Sequence, residues 1–296
     1  MEQAKTRYAA VTGSNKGIGF EICRQLAINV AIVVLTARDE KRGVEAVEKL
    51  KESGHDNVIF RQLDVTDNTS VHSLTDFIRN HFGKLDILVN NAGIAGVMVK
   101  PTKNMFLPIM QEGVQIKWNE GVTQSYELAE QCLKTNYHGT KRMCEALIPL
   151  LQLSNSPRII NVSSSMGKLK RVKNEWAKQV LSDTENLTEE KVDEVLNEYL
   201  KSYKERSLEA NGWPVSMSAY VLSKAAMNAY TRILAKKYPT LSVNCVCPGY
   251  VKTDINYNTG VLTAAEGAES CVRLALITNG SPSGMFFYRK EETSFV

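Results

Sequence analysis

The sequence predicts a doubly wound, parallel α/β sheet, and three observations carry that expectation. Short β-branched runs alternate with helical patterns from Tyr8 to about Ser165, which is how βαβ units with both sheet faces covered read. A glycine-rich turn separates the first strand from the first helix. No internal repeat or low-complexity linker interrupts the 296 residues, so residues 1–296 read as a single domain. With 43% hydrophobic residues the chain can bury about three-quarters of its unfolded surface.

The strand candidates, in order, are Tyr8–Thr12, Ala31–Thr36, Val58–Leu63, Asp86–Asn90, Arg158–Val162 and Ser242–Val246, with a last strand near Met285–Phe287. Between the first two, Ile18, Ile22, Cys23 and Leu26 recur at helical spacing and give one apolar stripe. Two insertions break the alternation. The first, about 94–125, contains Pro101, Pro108 and Gly113 and reads as an irregular excursion before a helix around Tyr126–Leu150; a connection this long in a compact fold is usually a functional lid. The second, 168–213, opens on the basic run Lys168–Lys173. It continues with Thr188, a hydroxyl cap ahead of Glu189 and Glu190, and a stripe of Val192, Val195, Leu196, Tyr199, Leu200 and Tyr203. An amphipathic helix packed on its own domain is the expectation.

Thirty-six Lys and Arg face 32 Asp and Glu, a net charge of +4 spread along the chain, which argues against a nucleic-acid partner. The six cysteines form no CxxC pair and no zinc-like spacing with histidine, so buried, reduced thiols and no metal are expected. The N-terminus has no apolar signal core, and the purest apolar run, Val30–Leu35, is too short to span a bilayer. A soluble, cytoplasmic protein without a membrane partner is the expectation.

The chemistry begins at the turn Thr12-Gly13-Ser14-Asn15-Lys16-Gly17-Ile18-Gly19. Glycines allow a tight turn and let a pyrophosphate approach the backbone, where helix N-terminal amides favour negative charge. Gly13, Asn15, Lys16, Gly17, Ile18 and Gly19 are therefore candidate dinucleotide contacts. The second strand ends Thr36-Ala37-Arg38, where an NAD-selective site would place a carboxylate. Arg38, with Lys16, suits a 2′-phosphate and points to NADPH, unless Arg38 is a surface residue paired with Asp39 or Glu40. Tyr220 and Lys224 lie four apart on one helical face. A nearby ammonium and a cationic nicotinamide would lower the tyrosine from its reference of about 10, making an acid–base catalyst.

Taken in order, Val11-Thr12-Gly13, Asn90-Asn91-Ala92-Gly93, Asn136, Asn161-Val162-Ser163-Ser164, Tyr220-x3-Lys224 and Cys247-Pro248-Gly249 resemble the short-chain dehydrogenase/reductase family over essentially the whole chain. The similarity is to its extended-insert, carbonyl-reductase-like branch, which implies a Rossmann-like fold. Gly17–Cys23, Leu63–Asp67, Asn174–Ala177 and Ala225–Arg232 most resemble the plant salutaridine reductase and (+)-neomenthol dehydrogenase group.

That resemblance implies roles. Tyr220 would protonate a carbonyl oxygen while nicotinamide delivers hydride to its carbon. Ser164 would hydrogen-bond the same oxygen, Lys224 would hold the nicotinamide ribose, and Asn136 would bind a water completing a proton relay. Asp64 and Val65 would contact adenine, and Asn90 and Gly93 would line the cofactor, although Asn90 could equally tie strands together. Pro248, Gly249, Val251 and Thr253 would embrace the nicotinamide end. The second insertion would cover the surface used elsewhere for dimerisation, so a monomer is expected. The implied activity is NADPH-dependent reduction of a bulky, apolar cyclic ketone. Candidate pocket residues are Ile94, Ala95, Val97, Met98, Met166, Trp213, Met217, Tyr250 and Ile255. Two alternatives remain: reduction of an enone C=C bond, for which resembling enzymes have lost the tyrosine, and a non-catalytic NADPH-binding regulator. One departure is Asn29, which stands where relatives carry a glycine and is expected to take a left-handed helix stop.

Overall fold

The computed structural model describes residues 7–99, 122–277 and 282–296. Most of the first insertion, with Pro101, Pro108 and Gly113, lies outside these residues. Strand β1 (Tyr8–Val11) is followed by the glycine turn and helix α1 (Gly17–Leu26), then by β2 (Ile32–Ala37), α2 (Glu40–Glu52), β3 (Val58–Gln62), α3 (Asn68–Phe82) and β4 (Ile87–Asn90). Val33, Val34, Leu35, Ile87, Leu88 and Val89 are all fully buried, because both faces of these strands are covered. Beyond the first insertion come α4 (Tyr126–Leu133), α5 (Gly139–Leu151), β7 (Arg158–Val162), α6 (Glu175–Ser182), α7 (Glu189–Lys204), α8 (Ser218–Lys237), β8 (Ser242–Cys247), α9 (Ala264–Leu276), β9 (Phe286–Tyr288) and β10 (Glu291–Thr293). The insertion itself contributes a two-residue antiparallel pair, β5 (Met98–Val99) with β6 (Val122–Thr123).

The main sheet has the order β10-β9-β8-β7-β4-β1-β2-β3, parallel except for the β9–β10 pair. The chain winds outward in one direction from β1 and in the other from β4. Strand order therefore reverses between β1 and β4, where ligands of doubly wound sheets bind beyond the carboxyl ends of the strands. One core joins α1, α2 and α9 to one face through Ile22, Leu26, Val47, Leu50 and Cys271. The other joins α3, α5 and α8 to the opposite face through Leu74, Ile78, Leu147, Leu222 and Ala226. All six cysteines are free and buried.

The inserted helix forms as its stripe requires. Thr188 accepts the Lys191 amide as N-cap of α7, and Val192, Val195, Leu196 and Tyr199 are buried in the same core as α8. Four features depart from the expectations. Strand β10 and the β5–β6 pair are too short to leave a pattern in the sequence. The helix expected over Tyr126–Leu150 is split by a π-helical turn at Lys134–His138, which contains Asn136; such wide turns concentrate at functional sites. Asn29 does not adopt a left-handed conformation. Helix α1 ends on right-handed Ala27, and the amides of Asn29 and Val30 both return to the Leu26 carbonyl. The Asn57 amide then donates to the carbonyls of Ala27 (2.8 Å) and Val30 (2.9 Å), satisfying the helix end from a distant loop.

Candidate active site

A cleft of about 1040 Å³ opens at the β1/β4 switch point. Gly13 takes φ +60°, and a Cβ there would lie 2.9 Å from the Ala92 backbone, so only glycine lets this turn lie against the segment after β4. Helix α1 begins at Gly17 without a side-chain cap, unlike α2, α3 and α7, so its first amides are left for an anion. Lys16 and Arg38 line the same cleft. Arg38 makes no ion pair among the described residues: the neighbouring Asp39 is taken by Arg42, and Lys16 pairs with Asp254 across the cleft mouth. The residues thus fit a nicotinamide dinucleotide: bare amides for the pyrophosphate and one cation, Arg38, at the end of β2.

Of the sequence-predicted contacts, Gly13, Asn15, Lys16, Gly17, Ile18, Gly19, Arg38, Asp64, Val65, Gly93, Pro248, Gly249, Val251 and Thr253 all line the cleft. Asn90 does not. It is buried, and its amide donates to Asn161 Oδ1 (2.9 Å) and Cys144 Sγ (3.3 Å), tying β4 to β7. The lining residue is Asn91, whose amide donates to the carbonyls of Thr12 (3.0 Å) and Gly13 (2.9 Å) and so fixes the glycine turn.

Tyr220, Ser164 and Lys224 come together from two elements. Ser164 follows β7, and its Oγ accepts the Met166 amide (3.1 Å) while hydrogen-bonding the Tyr220 phenol. Tyr220 and Lys224 stand one turn apart on α8, with Lys224 Nζ 5.8 Å from the phenol ring centroid. Lys224 is only 4% exposed and donates to the Val162 carbonyl (2.8 Å). Burial drags its ammonium down to about 8. Burial also raises the Tyr220 phenol above its ordinary value, and the Ser164 hydrogen bond offsets this only in part. The expected depression of the tyrosine is therefore absent from the protein alone, because desolvation of the phenolate outweighs its polar neighbours.

Asn136 is fully buried and does not line the cleft. Its Oδ1 accepts the Ile94 amide (2.8 Å), and its Nδ2 donates to the Ile94 carbonyl (2.9 Å) and Ser223 Oγ (3.0 Å). These bonds tie the π-turn to the loop after β4 and to α8. Among pocket candidates, Ile94, Ala95, Val97, Met166, Met217, Tyr250 and Ile255 line the cleft. Met217 does so from a left-handed φ of +49°, a strained backbone directly before the catalytic helix. Met98 and Trp213 do not line it. Met98 is 58% exposed on β5. Trp213 is 3% exposed, stacks edge-on against Tyr199 at 5.7 Å and donates Nε1 to Ser202 (3.0 Å), which makes it a core residue of the second insertion. Trp213→Ala should lower the unfolding free energy by about 3–5 kcal/mol with cofactor affinity unchanged, read by urea denaturation alongside cofactor titration. Tyr288, at the end of β9, also lines the cleft. No local motif marks it, since only the sheet order brings the C-terminal strand there.

The family model described as short chain dehydrogenase matches residues 7–175 and 207–261. The chain belongs to the short-chain dehydrogenase family. A (+)-neomenthol dehydrogenase of Arabidopsis thaliana is 57% identical over 100% of both chains. Salutaridine reductase of Papaver somniferum is 55% identical over 98% of this chain and 97% of its own. The solved structure of that reductase superposes with a TM-score of 0.88 over 95% of this chain and 99% of the other. This short-chain dehydrogenase is accordingly an oxidoreductase, of a family whose members bind nicotinamide cofactors. Among the described residues no helix is long and apolar enough to cross a membrane.

Proposed function

We propose that this enzyme uses NADPH to reduce a bulky, apolar cyclic ketone of monoterpenoid or alkaloid type to the alcohol. The observation that carries the reading is the part-buried Tyr220 phenol, facing the cleft beside Ser164, Met166 and Met217 with Lys224 one turn behind it on α8. Bound NADPH supplies hydride to the carbonyl carbon. Ser164 orients the carbonyl oxygen and Tyr220 Oη gives it a proton, so hydride plus proton convert C=O to CH–OH. Lys224 balances the phenolate left behind and would hold the nicotinamide ribose. Gly13–Gly19 would hold the pyrophosphate, Asp64 and Val65 the adenine end, and Gly93, Pro248, Gly249, Val251 and Thr253 the nicotinamide end, all of them residues that line the cleft.

The relatives named above, a neomenthol dehydrogenase and a salutaridine reductase, support the substrate class. The intact tyrosine favours carbonyl over C=C reduction, in which the proton goes to carbon. The burial of the α7 stripe against α8 supports a monomer of one domain carrying two insertions, and the absence of a spanning helix among the described residues suits a cytoplasmic enzyme. Arg38, without an ion pair among the described residues, supports NADPH over NADH: Arg38→Ser should cut the NADPH to NADH ratio of kcat/KM by about 10–100-fold, the loss of a charge-assisted hydrogen bond. The deciding experiment is NADPH consumption against a panel of cyclic ketones and enones with products identified by NMR. An alcohol product carries the reading. A saturated ketone from an enone replaces it with the C=C reading, and cofactor binding without turnover of any member moves it to the regulator.

A further inference from the structure

Two walls of the ketone end of the cleft come from distant segments: Ile94–Val97 after β4, and Met217 with Tyr220 at the head of α8. One side chain spans them. Gln124, just after β6, donates Nε2 to the Gly96 carbonyl (3.0 Å) and accepts the Ser218 hydroxyl at Oε1 (2.7 Å). The Gly96 carbonyl can only accept, so the amide orientation is fixed and Ser218 must be the donor to Oε1. With the Ser218 proton committed, Tyr199 of α7 donates to Ser218 Oγ (2.7 Å), and Tyr203 donates to the Gln124 backbone carbonyl (2.7 Å). Ser218 and Tyr199 are fully buried.

The points this bridge grips cannot readily shift. Gly96 has φ +66°, and a Cβ there would sit 2.5 Å from Cys132 Cβ, so the loop is pressed against α4. Ser218 directly follows Met217, whose left-handed backbone needs a partner to hold it, and lies two residues before Tyr220. The chain Tyr199–Ser218–Gln124–Gly96 therefore joins both insertions to the catalytic helix and to the opposite wall.

We propose that Gln124, through Ser218, is a specificity-determining positioning residue that sets the separation of the two pocket walls and thereby the fit of a bulky ketone. The proposal rests on the reading of this cleft as a ketone-reductase site. Removing the bridge loosens Ala95 and Val97 relative to Met217 and leaves the distant glycine turn, and so cofactor affinity, untouched.

The test compares Gln124→Leu, Gln124→Glu and Ser218→Ala with the parent enzyme. Gln124→Leu and Ser218→Ala should raise KM for a bulky cyclic ketone about 5–20-fold, with KM for a small aldehyde and the NADPH Kd within about twofold. In Gln124→Glu at neutral pH, a carboxylate faces the Gly96 carbonyl and the same KM defect appears. Below about pH 5 the protonated acid donates to that carbonyl again, and KM measured relative to the parent at each pH should recover. Amide exchange of residues 95–97 and 218–221 should quicken in Gln124→Leu, a readout that needs no turnover. An unchanged bulky-ketone KM, or an equal rise for both substrates without acid rescue, overturns the proposal. If the parent turns over no ketone, the reading of the site fails, and unaltered exchange would then overturn the bridge as well.

Discussion

Tyr220→Phe should lose ketone-dependent NADPH oxidation by about 10²–10⁴-fold, the usual contribution of a positioned general acid, with cofactor affinity within twofold. The ring that lines the cleft is kept, so only the proton is lost. The neighbouring groups are poor substitutes: the Ser164 hydroxyl is a far weaker acid than a phenol, and Lys224 Nζ is turned to the Val162 carbonyl. In the protein without cofactor, burial raises the Tyr220 phenol, so the side chain starts protonated and able to donate to a nascent alkoxide. The alkaline limb of the reduction should accordingly follow Lys224, which loses its charge near 8, rather than the tyrosine. The measurement is steady-state turnover from pH 6 to 10 beside fluorescence titration of the cofactor. Turnover in Tyr220→Phe within tenfold of the parent would overturn the assignment of the acid.

Lys224→Met should abolish turnover by about 10³-fold and, without cofactor, make the protein more stable. The folded pKa of about 8 lies below the ordinary 10.5, so between these values the unfolded chain binds more protons. Stability of the parent therefore rises with pH across that window, and below it the buried ammonium costs the folded state on the order of 3 kcal/mol. Methionine fills a similar volume without the charge, at the loss of one hydrogen bond to the Val162 carbonyl, roughly 1–2 kcal/mol. A net gain of about 1–2 kcal/mol at pH 7 is expected, shrinking as pH approaches 10. Thermal melts of both proteins at pH 7 and 10 check the sign; a less stable variant at pH 7 would show that the ammonium is held by more than its desolvation allows. Such a gain marks a residue kept for chemistry at the expense of the fold.

The order of strands and helices was readable because each depends on nearby residues: a buried β-branched run, an apolar stripe, a hydroxyl before two acids. The same locality made the glycine turn, Tyr220 and Lys224 readable, since a turn and two positions four apart on a helix need no partner to be recognised, whereas Ser164 was implied only by the family resemblance. The second insertion was legible as an amphipathic helix, yet its Trp213 read as a pocket residue, because an aromatic looks alike whether it faces a ligand or Tyr199. What the sequence by itself determined was therefore the doubly wound class and the chemical groups brought to the cleft. Tertiary structure alone decided that Asn91 rather than Asn90 faces that cleft, that Asn57 ends the first helix where Asn29 was expected to, and that Gln124 meets Ser218 ninety-four positions later. It also decided that, in the protein without cofactor, the tyrosine is raised, because burial is a sum over every element packed around a group, and no spacing along the chain records that sum.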